Sequence, residues 1–205
     1  MRRAPTGCLT AGGSGPTNEF VVATEPKRQS ERLHLARVSA KGAVYFVTFV
    51  TAQRAPWLGS PKAAEAVLGA IRNWHQEGDG AVLAVTVMPD HLHVLFTLGD
   101  RLDVGRCVSR WKTAGRRASG YAGEWQRDFW ERRVRDDESP EDYARYILLN
   151  PYRAGLAGRG QAWPWWWAPD AEQFRFLALL GSQGEPPEEW IDWPEERFAG
   201  LATGE

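Results

Sequence analysis

Residues 43–51 (Ala-Val-Tyr-Phe-Val-Thr-Phe-Val-Thr) are β-branched or aromatic almost throughout, which predicts a strand. Ser60-Pro61 then offers a cap and a proline suited to the first helical position. Ala63, Val67, Ala70, Ile71 and Trp74 follow at helical spacing, so an amphipathic helix is expected over 61–77, stopped by Gly78-Asp79-Gly80. Residues 81–88 and 91–98 are two apolar runs joined by Pro89-Asp90, a tight hairpin. Leu102, Val104, Cys107, Val108 and Trp111 form the apolar stripe of a helix over about 102–118. A short strand is expected over 128–134. Ser139-Pro140-Glu141-Asp142 opens a last helix, which Pro151 is expected to end at Asn150, because a residue before proline avoids helical conformation.

The resulting order, β-α-β-β-α-β-α, predicts an α+β chain. Its first six elements form a ferredoxin-like split-βαβ unit, an antiparallel sheet with two helices on one face. A further C-terminal helix and irregular extensions are added to it. Three segments are expected: a flexible or loosely ordered extension over 1–40, carrying the linker-like Gly12-Gly13-Ser14-Gly15-Pro16; a folded domain over 41–156; and a Trp-, Pro- and Glu-rich acidic extension over 157–205, in which Trp163-Pro164-Trp165-Trp166-Trp167 could fold back as a cap.

Composition changes this picture in one respect. The 205 residues carry 25 Lys+Arg against 26 Asp+Glu, which taken whole argues against a nucleic-acid partner. The distribution argues the other way. Residues 101–135 hold ten basic and four acidic side chains, a net of +6, and residues 170–205 hold two basic and nine acidic, a net of −7. The acidic tail is expected to be a solvated surface or, less simply, a competitor for the basic groove. No apolar run approaches the roughly 20 residues of a membrane span, and the N-terminus lacks a signal-peptide stretch. Cys8 and Cys107 suggest no disulfide framework, so a cytoplasmic location is expected.

The sharpest chemical signal is His91-Leu92-His93 at the start of a strand. Alternate strand residues share a face, so both imidazoles project together, half of a site for a divalent cation; two surface histidines are the plain alternative. Tyr146 and Asn150, at i and i+4, share a helix face. The first offers a phenol nucleophile and the second a neutral oxygen ligand suited to Mg²⁺ or Mn²⁺. The plain alternative makes Tyr146 a core aromatic and Asn150 a helix terminus.

Met88-Pro89-Asp90-His91-Leu92-His93, Trp125-Gln126-Arg127-Asp128-Phe129-Trp130-Glu131 with Val134-Arg135-Asp136, and Tyr146-Ile147-Leu148-Leu149-Asn150-Pro151-Tyr152-Arg153-Ala154-Gly155-Leu156 stand in one order over Val44 to Leu156. With them the chain resembles the REP-associated tyrosine transposases of the single-tyrosine HUH group. That resemblance implies a metal-dependent transposase or nuclease that cleaves and rejoins single-stranded DNA at hairpin-forming repeats through a 5′-phosphotyrosine. Tyr146 would be the nucleophile, with Tyr143 and Tyr152 as alternative phenols. His91, His93 and Asn150 would hold Mg²⁺ or Mn²⁺. Arg106, Arg110, Lys112, Arg116, Arg117, Arg127, Arg132, Arg133 and Arg135 would meet phosphates, and Trp125 and Trp130 could stack unpaired bases or belong to the core. Trp111 reads as core. A monomer is favoured over a dimer.

Two other readings compete. One is a hairpin-binding protein that has lost turnover. The other is a small metal-dependent hydrolase, which would need a third strong ligand; His34 and His75 lie in no matching motif, and position 95 is Leu.

Overall fold

Strands alternate between two apolar faces, and that alternation builds the molecule as two layers on one sheet. The structure is a computed structural model that describes residues 39–120, 123–170 and 172–201, all within one unit, Val38–Glu205. The extension expected over 1–40 and its glycine-rich linker therefore lie outside the described residues, apart from 39 and 40.

The elements follow the predicted order: β1 (Val44–Val50), α1 (Pro61–Gln76), β2 (Gly80–Val87), β3 (His91–Leu98), α2 (Val104–Ser119), β4 (Trp130–Arg133) and α3 (Pro140–Arg153). The strand order β4-β1-β3-β2 is that of the ferredoxin-like unit, with β1 antiparallel to both β3 and β4. Ser60 and Ser139 stand at the starts of α1 and α3 as expected, but neither side chain makes a capping hydrogen bond; the side-chain cap is at α2. Asp103 accepts the backbone N–H of Arg106 at 2.7 Å, and Pro61 and Pro140 stand in the first turns of α1 and α3.

On one face Tyr45, Val47, Phe49, Leu92, Val94 and Phe96 are buried against α1 and α2. The two helices approach closely because position 115 is glycine: a Cβ there would lie 2.7 Å from Val67 Cγ2. Trp57, Trp74 and Trp111 are buried in this layer and Trp125, Trp165 and Trp167 pack against it, which accounts for six of the eleven tryptophans. Cys107 is also buried here, and burial, followed by the nearby Asp79 and Asp103 carboxylates, pushes its thiol up to about 12. In the native protein at pH 8 this thiol is expected to resist iodoacetamide and to react only on unfolding, as mass spectrometry would record.

On the other face Phe46, Ala84 and Leu95 are buried against α3. A bulge in β2 between Val82 and Ala84 reverses the strand's parity, so Val82 belongs to the first layer and Ala84 to the second.

Two expectations need correction. Helix α3 does not stop at Asn150 but runs through Pro151 to Arg153. Proline in the last turn costs one intrahelical bond, and tertiary anchoring offsets it. The Tyr152 hydroxyl donates to the Gln161 carbonyl at 2.7 Å and accepts the Trp163 N–H at 3.0 Å, while the Asn150 and Pro151 carbonyls take the N–H groups of Ala154 and Leu156. The tail is also more regular than expected. Trp166–Trp167 forms a fifth strand, β5, against β2, so the foreseen fold-back of residues 163–167 is a sheet edge.

Beyond β5 the tail wraps α3 through aromatic–cation contacts. The Arg145 guanidinium lies 5.3, 5.4 and 5.6 Å from the rings of Phe176, Trp190 and Trp193. Arg153 sits 5.0 Å from the Phe198 ring and pairs with Glu195 at 2.6 Å; Arg159 pairs with Asp192 at 2.5 Å. The tail thus docks on α3, and the ion pairs described for its acids lead to Arg153 and Arg159 rather than to residues 101–135.

Candidate active site

Because His91 and His93 alternate with Leu92, they point from β3 to the face opposite α1 and α2, where α3 lies. The register places His93 directly across from Thr48 on β1 and Thr86 on β2. Thr48 Oγ1 and His93 Nδ1 are 2.8 Å apart, and His93 Nε2 accepts Asn150 Nδ2–H at 3.1 Å. With the Asn150 amide in this orientation the ring proton lies on Nδ1, toward Thr48 Oγ1. His91 is held in the same manner, its Nδ1–H donating to Asp90 Oδ1 at 2.6 Å. The two imidazole centroids are 4.9 Å apart, and the Tyr146 ring lies 6.0 Å from that of His93. Spacing predicts one shared face for His91 and His93 and another for Tyr146 and Asn150; the fold sets the two pairs against each other.

The centre is closed. His93 is 0 % exposed, His91 7 %, and Tyr146 and Asn150 9 % each. Tethering of both imidazoles through Nδ1 would leave Nε2 as the nitrogen for a cation, the arrangement in which metal-binding histidines are held, although at His93 that nitrogen here accepts from Asn150. Among the described residues no group of three or more His, Cys, Asp or Glu is placed to hold a metal ion, so a third protein ligand would be the amide of Asn150. Its oxygen and nitrogen ends exchange by a half-turn of the side chain. Two imidazoles and an amide oxygen would make a three-ligand site with open positions, unlike the four strong ligands of a structural zinc.

The geometry also ranks the phenols. Tyr143 is fully buried edge-on to Phe46 at 5.3 Å, and burial first of all pushes its hydroxyl up to about 12. Tyr152 is held up chiefly by burial, and its hydroxyl is committed to Gln161 and Trp163. Tyr146 is the phenol beside the histidines. Its ring contacts Phe46 at 6.3 Å and Phe198 of the tail at 5.5 Å.

The basic segment, continuous in sequence, is divided in space. Arg106, Arg110, Arg116 and Arg117 stand on α2, which covers the opposite face of the sheet, and the structure does not bring them to the histidines. Arg106 and Arg110 pair with Asp103 and Glu77. Lys112 is committed to its own fold: Nζ donates to the carbonyls of Gln126 at 2.8 Å and Asp128 at 3.4 Å, beside the rings of Phe49 and Phe129, and burial lowers it to about 8. Trp125 packs between Phe49 and Trp57 and donates its indole N–H to the Lys112 carbonyl, a core role, and Trp111 is fully buried as expected.

Trp130 and Arg132 do lie on the histidine face. Trp130 packs edge-on to Phe46 at 5.5 Å, and Arg132 pairs with Glu138. Arg127 follows Gln126, whose N–H donates to the Val50 carbonyl, and so is exposed at the His91 end of β1. Arg133 and Arg135 line a cavity of about 400 Å³ around Val44, at the other end of that strand and roughly 20 Å from His91 by strand rise. Sequence reasoning missed Thr48, Asp90 and Phe198. Strand alternation from His93 and the pairing of β1 with β3 would have found Thr48; Phe198 carried no signal.

Comparison with known proteins bears on the family and the fold. Residues 39–147 match the family model described as Transposase IS200 like. A Haemophilus influenzae protein named provisionally as a REP-associated tyrosine transposase is 26% identical over 140 residues, 61% of this chain and 79% of that one. A solved structure of a REP-associated tyrosine transposase bound to a REP hairpin superposes with a TM-score of 0.54 at 24% identity, over 78% of this chain and 89% of its own, and shares the fold.

Proposed function

The chain belongs to the family of IS200-like transposases, and from that premise we propose that it cleaves and rejoins single-stranded DNA beside a hairpin, with Tyr146 as the nucleophile. The observation that carries this reading is the convergence of His91, His93, Asn150 and Tyr146 on one face of the sheet, with the Tyr146 ring 6.0 Å from His93. The hairpin is carried over from the REP-hairpin complex that shares the fold.

His91, His93 and Asn150 would hold a divalent cation, which when bound supplies Lewis-acid polarisation of the scissile phosphate. Thr48 and Asp90 keep the imidazole protons on Nδ1. The Tyr146 oxygen attacks phosphorus as its proton leaves; the P–O3′ bond breaks, and the departing oxygen takes a proton to become a 3′-OH. The phosphate stays on the 5′ side, joined to Tyr146. Attack by another 3′-OH reverses these steps and rejoins the strands with no external energy, since the number of phosphoester bonds is conserved.

The test is incubation of the full chain with end-labelled single-stranded DNA carrying a hairpin, with Mg²⁺ or Mn²⁺ and with EDTA. Expected are a covalent adduct and a released fragment ending in 3′-OH, both absent in EDTA. Hairpin binding without adduct in either metal would reduce the function to binding, and neither binding nor adduct would overturn the reading.

The closed centre has a consequence for rate. Phe198 lies against the Tyr146 ring, and the Glu195–Phe198 turn is expected to restrict a strand's approach to the phenol. An aromatic pair contributes about 0.5–1.5 kcal/mol, so Phe198→Ala is expected to raise the single-turnover rate of adduct formation by up to about tenfold.

A further inference from the structure

Both histidines are tethered through Nδ1, but only His91 is tethered to a charge, and the charge is itself held. The chain leaves β1 at Val50, the partner of His91. Thr51 then fastens the two segments together, its N–H and its hydroxyl both donating to the Asp90 carbonyl, at 2.8 and 2.9 Å. The turn Ala52–Arg54 that follows places Gln53 at φ 55° and Arg54 at φ 52°. These are the only non-glycine residues at positive φ among the described residues, and side chains with a Cβ disfavour that region. The turn aims Arg54 back at the hairpin. Its Nη1 donates to Asp90 Oδ2 at 3.1 Å, while Asp90 Oδ1 accepts the His91 Nδ1–H at 2.6 Å. One carboxylate is thus divided between a guanidinium and an imidazole. The Arg54 side chain is 51% exposed, and an ion pair so exposed adds little to stability. Stability therefore does not account for two consecutive strained residues; the aim of the carboxylate does.

We propose that Arg54 and Asp90 are positioning residues for His91. Arg54 fixes the Asp90 carboxylate, the carboxylate holds the imidazole proton on Nδ1, and Nε2 is thereby kept as the unprotonated nitrogen that would ligate a cation. The proposal rests on the cation site of the preceding subsection, but its first readout needs no cation.

That readout is the tautomer of His91, taken from long-range ¹H–¹⁵N NMR spectra of the full chain without metal. The wild type is expected to show the Nδ1–H form, and Arg54→Ala and Asp90→Ala a mixture of both forms. The second readout is Mn²⁺ affinity followed by electron paramagnetic resonance, without DNA. Asp90→Ala is expected to weaken it 10–100-fold and Arg54→Ala about tenfold, with Arg54→Lys within about threefold of wild type. Hairpin affinity should stay within about threefold in all three.

An Nε2–H form in the wild type overturns the proposal. So does an Arg54→Ala protein that keeps both the wild-type tautomer and the wild-type Mn²⁺ affinity, or one that loses hairpin affinity and nothing else, which would make Arg54 a phosphate contact. If the tautomer follows prediction while wild type and His91→Ala bind Mn²⁺ alike, the cation site fails and the positioning of the ring stands.

Discussion

Tyr146→Phe is expected to abolish the covalent protein–DNA adduct and leave hairpin affinity within about twofold. The substitution deletes one hydroxyl and keeps the ring, so the edge-on contacts with Phe46, His93 and Phe198 survive and the fold should be unmoved. Among the described residues no other phenol is placed to replace it. Tyr143 lies fully buried with its hydroxyl pushed up to about 12, and the Tyr152 hydroxyl holds the turn that leads to β5. Loss of a nucleophile costs on the order of 10⁴-fold or more in rate, which is below detection in a gel assay. A Tyr143→Phe protein, in contrast, should form adduct at a rate near wild type.

His93→Ala should be inactive and also destabilised, because this ring serves chemistry and structure at once. It bridges Thr48 on β1 and Asn150 on α3 in a fully buried position. Its removal leaves two buried polar groups without their partner and a void beneath α3, about 3–5 kcal/mol together. Thermal unfolding and Mn²⁺ titration separate the two effects. His91→Ala, whose ring lies nearer the surface and is tied to the exposed end of the hairpin, should lose metal affinity with a smaller drop in melting temperature. Equal stability of His93→Ala and wild type would mean that the Thr48–His93–Asn150 bridge does not hold α3 to the sheet.

What the sequence disclosed depended on whether a feature is local. The alternation in His91-Leu92-His93 and the four-residue spacing of Tyr146 and Asn150 are backbone periodicities, so the faces were legible before the fold was known. Their convergence needed α3 to lie on the histidine face, and Phe46, Ala84 and Leu95 decide that from three different strands. The charge of residues 101–135 was misleading for the same reason. A sum along the chain does not record that α2 and β4 serve opposite faces, or that Lys112 spends its ammonium on backbone carbonyls. Pro151 obeys a local rule that tertiary anchoring of Tyr152 overrides. The β5 strand has two residues and no alternation to read, and the docking of Trp190 and Trp193 on Arg145 joins residues more than forty positions apart.

The most direct test of the account is the chemical identity of the protein–DNA bond. Full-length protein trapped on a hairpin-bearing single strand in Mn²⁺, digested and mapped by mass spectrometry, should show a single nucleotide-modified peptide carrying a phosphodiester from Tyr146 to the 5′ side of the cut. Cleavage that leaves a free 5′-phosphate with no modified peptide, or an adduct on Tyr143 or Tyr152, would contradict it.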